Sequence, residues 1–231
     1  MNNEKIGLIG GLTWVSTIEY YRLLNQLVNE KLGGSEAAEV IIYSVNFGEI
    51  KKFTEANDWA NISKIICAAA KELEKAGAAC VLLGANTMHK IAPEVQSAVS
   101  IPLIHIADVT ATAIRNKELS KIALLGTKYT MQLDFYKNAL AEKGIETLIP
   151  DEDNIQYINT AIYTELGKTF FFPKQRKDSL KLLDSLAKQG AEGVILGCTE
   201  IPLLLNQSDT SLAVFDTTLI HATAAVEFSL A

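Results

Sequence analysis

Gly193-Val194-Ile195-Leu196-Gly197-Cys198-Thr199-Glu200-Ile201-Pro202 is an apolar run that breaks into Gly-Cys-Thr-Glu. A short continuous apolar run bounded by a turn signal reads as a strand buried on both faces. Its end sets a thiol at the carboxyl end of a strand, ahead of an expected helix N-terminus. The first half of the chain carries a close copy, Cys80-Val81-Leu82-Leu83-Gly84-Ala85-Asn86-Thr87. When the two are aligned on the glycine before the special position, Ala85 falls where Cys198 stands.

The repeat extends outward from these two strands. Lys5-Ile6-Gly7-Leu8-Ile9-Gly10-Gly11 and Lys121-Ile122-Ala123-Leu124-Leu125-Gly126-Thr127 are matching strand openings. After the first comes an amphipathic helix marked by Tyr20, Leu23, Leu24, Leu27 and Val28, for which Ser16 or Thr17 is the expected cap. Val40–Tyr43 is a second strand, and residues 47–58 read as a loop with at most a short helix. A long helix over Trp59–Ala76 stops at Gly77. A helix is expected near His89, a short strand over Ile101–Ile106 and a helix over Asp108–Arg115. The second half runs as a helix over Met131–Lys143, a strand over Thr147–Pro150, a helix over Ile155–Leu166, a loop around Phe170–Pro173 and a helix over Lys174–Gln189. Gly193–Leu196, a strand end at Val214–Thr217 and a helix to Leu230 complete it. Alternating strands and helices predict parallel sheets covered on both faces. The repeated order predicts an α/β protein of two similar Rossmann-like domains related by internal duplication. Ligands in such folds bind outside the carboxyl ends of the strands, so a cleft between the two halves is the expected active site.

A chain of 231 residues with 48% hydrophobic and 21% charged residues suits a globular protein with a substantial core. Its net charge of −6 and lack of a basic block argue against nucleic-acid binding. No stretch approaches the roughly 20 apolar residues that span a bilayer, and the N-terminus lacks the features of a signal peptide. Three scattered cysteines do not make a disulfide framework. A reducing cytoplasm is the expected location.

Cys198 is the leading candidate for chemistry. First-turn N–H groups and a helix dipole would favour its thiolate; the alternative is an inert buried cysteine, the expected state of Cys67 and Cys80. Asn86, Thr87, Thr199 and Glu200 follow the special position in each half, where hydroxyls and N–H groups can hold a carboxylate without a metal. Thr127 and Thr130 add hydroxyls at another strand end, and Gly11 ends the first strand close to the expected ligand. The threonines are equally explained as helix caps. No metal ligand set is read: His89, His105 and His221 lack ligand spacing. Gly-x-Gly-x-x-Gly and Gly-x-Ser-x-Gly are both absent.

Ile6–Trp14 with Ser16-Thr17 and Tyr20-Tyr21-Arg22, Asn86–Lys90, His105–Asp108, Leu125–Met131, Gly197–Ile201 and Val214–Thr217 together resemble the aspartate/glutamate racemase family. The resemblance runs in family order over nearly the whole chain and is nearest to the broad-specificity bacterial amino-acid racemases. It implies two α/β domains around a cleft, often as a homodimer. The C-terminal helix would return to the first domain, giving residues 1–103 plus 217–231 and residues 104–216. It implies cofactor-independent inversion of an amino acid, a small-molecule substrate, with one proton-transfer residue on each face of Cα. Cys198 matches the second such residue; Asn86, Thr87 and Thr199 match positions that bind the substrate's carboxylate and amino group.

The family's first proton-transfer position is Ala85, which has no proton to exchange. Four readings follow: a slow racemase in which water, Thr87 or His89 serves that face; a one-sided decarboxylase or isomerase using Cys198 alone; a binding homologue; or an alanine introduced to trap a substrate complex. Lys168, Lys128 and Lys90 are the candidate cations for an acidic substrate.

Overall fold

The computed structural model describes residues 3–164 and 173–231. The chain divides into two compact units, residues 1–105 with 221–231 and residues 106–220.

In the first unit, β1 (Ile6–Gly10), β2 (Val40–Ser44) and β3 (Cys80–Leu83) form a parallel sheet in the order β2-β1-β3. Ile6 pairs with both Val40 and Cys80. Every residue of β1 and β3 is buried. Strand alternation divides their side chains between two cores. Ile6, Leu8, Cys80 and Leu82 pack on one face with Tyr20, Leu24 and Val28 of α1 (Trp14–Leu32) and Ala222, Ala225 and Val226 of the C-terminal helix. Ile9, Val81 and Leu83 pack on the other with Ile62, Ile66 and Leu73 of α3 (Trp59–Lys75). Two-sided burial is what the uninterrupted apolar runs encode.

The second unit repeats the plan. β4 (Lys121–Gly126), β5 (Glu146–Leu148), β6 (Gly193–Gly197) and β7 (Ala213–Asp216) form a parallel sheet in the order β5-β4-β6-β7. Leu124 and Leu125 pair with Ile195 and Leu196. The chain is therefore an α/β protein with two parallel sheets.

Several elements differ from the sequence expectation. Residues 47–55 form a nine-residue helix, α2 (Phe47–Glu55), started by Asn46, whose side chain accepts from the Gly48 amide, and held by buried Ile50 and Thr54 one turn apart. The cap of α1 is Thr13 rather than Ser16 or Thr17: its side chain accepts from the Ser16 amide. Asn86–Ile91 is a 3₁₀ turn leading into α4 (Ala92–Ala98). The strand expected at Ile101–Ile106 is a single bridge between Val81 and Leu103. Pro102 has no N–H to extend it, and Ile106 already begins α5 (Ile106–Arg115). The helix expected over Met131–Lys143 is two, α6 (Lys128–Gln132) and α7 (Asp134–Ala141), separated by extended backbone at Leu133. α8 (Glu152–Thr164), α9 (Pro173–Lys188) and α10 (Thr217–Ser229) complete the fold; Phe170–Phe172 lie outside the described residues.

All three histidines of the chain meet in the first unit. The His89 ring stands edge-to-face on His105 at 4.9 Å and on His221 at 5.4 Å. His221 Nε2 lies 2.7 Å from the Ile104 carbonyl, which can only accept, so Nε2 carries the proton. Nδ1 then accepts from the Tyr20 hydroxyl at 2.8 Å. Burial, with a lesser contribution from neighbouring His105, lowers the His221 pKa to about 4. Burial and the other two imidazoles lower His89 well below the usual value.

Unfolded histidine titrates near pH 6.5. Below that pH the unfolded chain takes up protons that folded His89 and His221 refuse. Stability is therefore full above pH 6.5 and is lost as pH falls toward the folded values, by about 1.4 kcal/mol per pH unit per histidine. Urea unfolding between pH 7.5 and 5 is expected to show this slope, and His221→Gln to reduce it. An equal slope in both proteins would remove His221 as a cause.

Candidate active site

The candidate residues gather at the carboxyl ends of two neighbouring strands in each unit, β1 and β3 in the first and β4 and β6 in the second. In the first, the chain leaves β1 through Gly10-Gly11. Gly11 has φ +73°, and a Cβ there would stand 2.1 Å from the Val45 carbonyl oxygen. Its N–H is committed to Thr17 Oγ1 at 2.8 Å. Gly11 thus shapes the turn, and its amide is not a substrate donor. Ser16 Oγ, instead of capping α1, lies 2.9 Å from the Thr13 carbonyl and 3.1 Å from the Gly84 carbonyl, so its one proton is shared between α1's own first turn and the end of β3. Beyond Gly84, Ala85 is half-buried in extended conformation, and Asn86 and Thr87 are buried in the 3₁₀ turn.

His89 closes this half-site from within. Its Nδ1 lies 3.1 Å from the Ala85 carbonyl and must donate to it. Its Nε2 is buried with no hydrogen-bond partner among the described residues. Both ring nitrogens are thus buried, and Nδ1 is engaged by the Ala85 carbonyl.

In the second unit, Thr127 caps α6, its hydroxyl accepting from the Thr130 amide. Thr130 is fully buried, and its methyl would lie 3.1 Å from a Cβ on Gly126 and 3.3 Å from one on Gly197. Those two glycines let the threonine settle over the ends of β4 and β6. Thr217 Oγ1 donates to the Leu196 carbonyl at 2.9 Å, fixing the end of β6 from another side.

Cys198 lies immediately past β6. Its thiol donates to Glu200 Oε2 at 2.8 Å, and Thr199 Oγ1 donates to the same oxygen at 2.8 Å. Glu200 is buried, 3% exposed. The expected helix N-terminus is absent: a single 3₁₀ turn, Ile201–Leu203, follows, too short for a useful dipole. The Thr199 and Glu200 amides do bond the sulfur and favour its ionised form. Burial first, and then the Glu200 carboxylate, outweigh them and raise the Cys198 pKa well above the usual thiol value. The thiol is thus kept protonated, the opposite of the sequence expectation.

The histidine cluster is the feature sequence reasoning missed, because its members are far apart in the chain and share no local pattern. Among the described residues there is no group of three or more His, Cys, Asp or Glu suited to a metal ion, and no helix long and apolar enough to cross a membrane. Lys90 Nζ lies 5.0 Å from the Trp59 ring centre and Lys128 Nζ 5.0 Å from that of Tyr129. Lys168 is outside the described residues.

Two parallel sheets, with a thiol–carboxylate pair past the end of β6, define an α/β protein. The chain belongs to the Asp/Glu/Hydantoin racemase family, which it matches over residues 9–225. It is 28% identical over 177 residues to the "broad specificity amino-acid racemase RacX" of Bacillus subtilis, covering 75% of each chain. Among solved structures it resembles an aspartate racemase homologue from Pyrococcus horikoshii, at 39% identity, TM-score 0.88 and coverage of 99% of this chain and 100% of the other. It also resembles a Yersinia pestis protein described as a candidate Asp/Glu racemase, at 44% identity, TM-score 0.93 and coverage of 99% and 100%. A glutamate racemase from Francisella tularensis shares the fold at 18% identity and TM-score 0.66, with 100% of this chain and 81% of the other covered.

Replacing Glu200 by glutamine keeps an acceptor for the thiol and removes the charge. The pH midpoint for iodoacetamide alkylation of Cys198, followed by peptide mass spectrometry to separate it from Cys67, is expected to move down. An unmoved midpoint would show that burial alone sets the thiol.

Proposed function

We propose that this protein is an amino-acid racemase that works by proton transfer at Cα, without pyridoxal phosphate or metal, and that Cys198 is its proton-transfer residue. The observation that carries the reading is the 2.8 Å contact from the Cys198 thiol to the buried Glu200 carboxylate. Family membership and the relative named as a broad-specificity racemase support the same reaction. A thiol with a raised pKa is scarce as thiolate but strongly basic once ionised, which suits a weak carbon acid. In the direction that removes a proton on this face, Glu200 first takes the thiol proton, and the thiolate then takes the α-hydrogen. In the other direction the thiol gives its proton to the carbanion, and the thiolate left beside the Glu200 carboxylate takes a proton from water. Asn86, Thr87, Thr127 and Thr199 are the assigned holders of the substrate's carboxylate and amino group. The resemblance further supports a homodimer in the cytoplasm, in domains 1–103 with 217–231 and 104–216.

Ala85 offers no proton on the opposite face, and His89 is sealed. Water then completes the inversion. Loss of one acid–base partner costs about 10²–10⁴-fold in rate, so turnover is slow. The same two observations favour a second reading, a one-sided decarboxylase or isomerase that protonates one face only.

Incubation with L- and D-aspartate, glutamate and neutral amino acids in D₂O, followed by NMR and chiral chromatography, separates these readings. Cα–H loss with inversion is expected, falling by about 10²–10⁴-fold in Cys198→Ala. Exchange with retention would favour the one-sided enzyme, and no exchange with any amino acid would overturn the racemase.

Ala85→Cys is expected to raise racemisation tenfold or more, as it supplies the missing acid–base group. An unchanged rate in a folded variant would remove position 85 from the reaction.

A further inference from the structure

We propose that His89 is a positioning residue, whose ring holds the Ala85 carbonyl and thereby the Asn86–Thr87 turn in the shape that receives substrate. The substrate role of that turn rests on the function proposed above; the anchoring itself does not.

The chain leaves β3 at Leu83 and lacks a strand partner from Ala85 onward. Something else must fix the carbonyl of Ala85. The His89 Nδ1–H does so at 3.1 Å, one turn back along the 3₁₀ segment. The ring itself cannot swing. His105 packs against it at 4.9 Å and an 81° interplanar angle, and His221 at 5.4 Å and 71°. His221 is in turn held by both nitrogens, to Tyr20 and to the Ile104 carbonyl. Tyr20 comes from α1, Ile104 from the segment after α4 and His221 from α10. Three separate elements therefore converge on the ring that anchors Ala85.

Stability alone does not explain an imidazole here. Its Nε2 is a buried acceptor with no hydrogen-bond partner among the described residues, which costs free energy that a phenyl ring of similar size would avoid. What the phenyl ring lacks is the N–H directed at Ala85. The buried, neutral ring is equally unsuited to move protons to a ligand. Its hydrogen bonding is directed at the backbone beside the candidate site, at Ala85 and Asn86.

The test compares His89→Phe, which fills the space without a donor, with His89→Asn, whose amide can donate to the same carbonyl. Amide hydrogen exchange over residues 85–88 is expected to accelerate at least tenfold in the Phe variant and to return toward wild type in the Asn variant. For L-aspartate and L-glutamate in the D₂O exchange assay, the Phe variant is expected to raise KM at least tenfold with a smaller change in kcat, and the Asn variant to recover part of it. Alkylation of Cys198 is expected to be unchanged in both. Local exchange and KM left as in wild type by the Phe variant would overturn the proposal. So would equal loss of protection across the whole first unit in both variants, which marks a merely structural ring. If the wild-type protein exchanges no Cα proton, the functional reading falls, and amide exchange over 85–88 still decides the anchor.

Discussion

Two-sided burial of the central strands is the constraint on which the rest depends. Every residue of β1, β3 and β6 is buried, so no polar side chain can stand within them without a partner. Backbone N–H and C=O groups are satisfied by parallel pairing, and alternate side chains fill the cores above and below. The first place along each strand where polar chemistry is tolerated is its carboxyl end. The apolar run stops at Gly84 in one unit and at Gly197 in the other, and Ala85 and Cys198 come next. Placing the candidate residues is a consequence of where the hydrophobic run ends.

Beyond that end, local electrostatics decide what a cysteine becomes. Cys80 and Cys198 are both raised by burial. For Cys80, burial pushes the thiol up to about 12 and the Gly7 amide opposes it. Cys198 is raised by the same desolvation, but also by a carboxylate 2.8 Å away that can accept what the sulfur releases. What sets Cys198 apart from Cys80 is therefore a carboxylate within hydrogen-bond reach, not burial alone. Glu200 accepts the thiol's hydrogen bond and by its charge disfavours the thiolate.

The architecture was legible because it rests on long periodic signals. Apolar runs ending in glycine marked all the central strands, and the repeated order of elements marked two α/β halves. Cys198 stood out because it sits past the end of an apolar run, among Gly, Thr and Glu. What was not legible depended on contacts between distant residues or on backbone detail. α2 needed Asn46 to cap it and a core to receive Ile50. The break at Leu133 has neither Gly nor Pro to announce it. Ile101–Ile106 has the composition of a strand, but one bridge is all that Pro102 and the start of α5 leave room for. The state of Cys198 is not legible for a related reason: the turn is, but the helix expected after it is a three-residue 3₁₀ segment. The histidine cluster brings together residues 89, 105 and 221, and no local rule connects them.

The two halves share a topology and use it differently. At the end of β6, polar side chains engage one another: Cys198, Thr199 and Glu200 are bonded through a single carboxylate oxygen. At the end of β3, they engage the backbone: Ser16 Oγ lies against the Gly84 carbonyl, and His89 Nδ1 against that of Ala85. Alanine at position 85 is compatible with such a half, because backbone rather than side chain is what the surrounding donors grip. A duplicated fold can thus keep both strand ends in register while only one retains a titratable group. Asymmetric chemistry then requires no change in the sheets, only in the first residues beyond them.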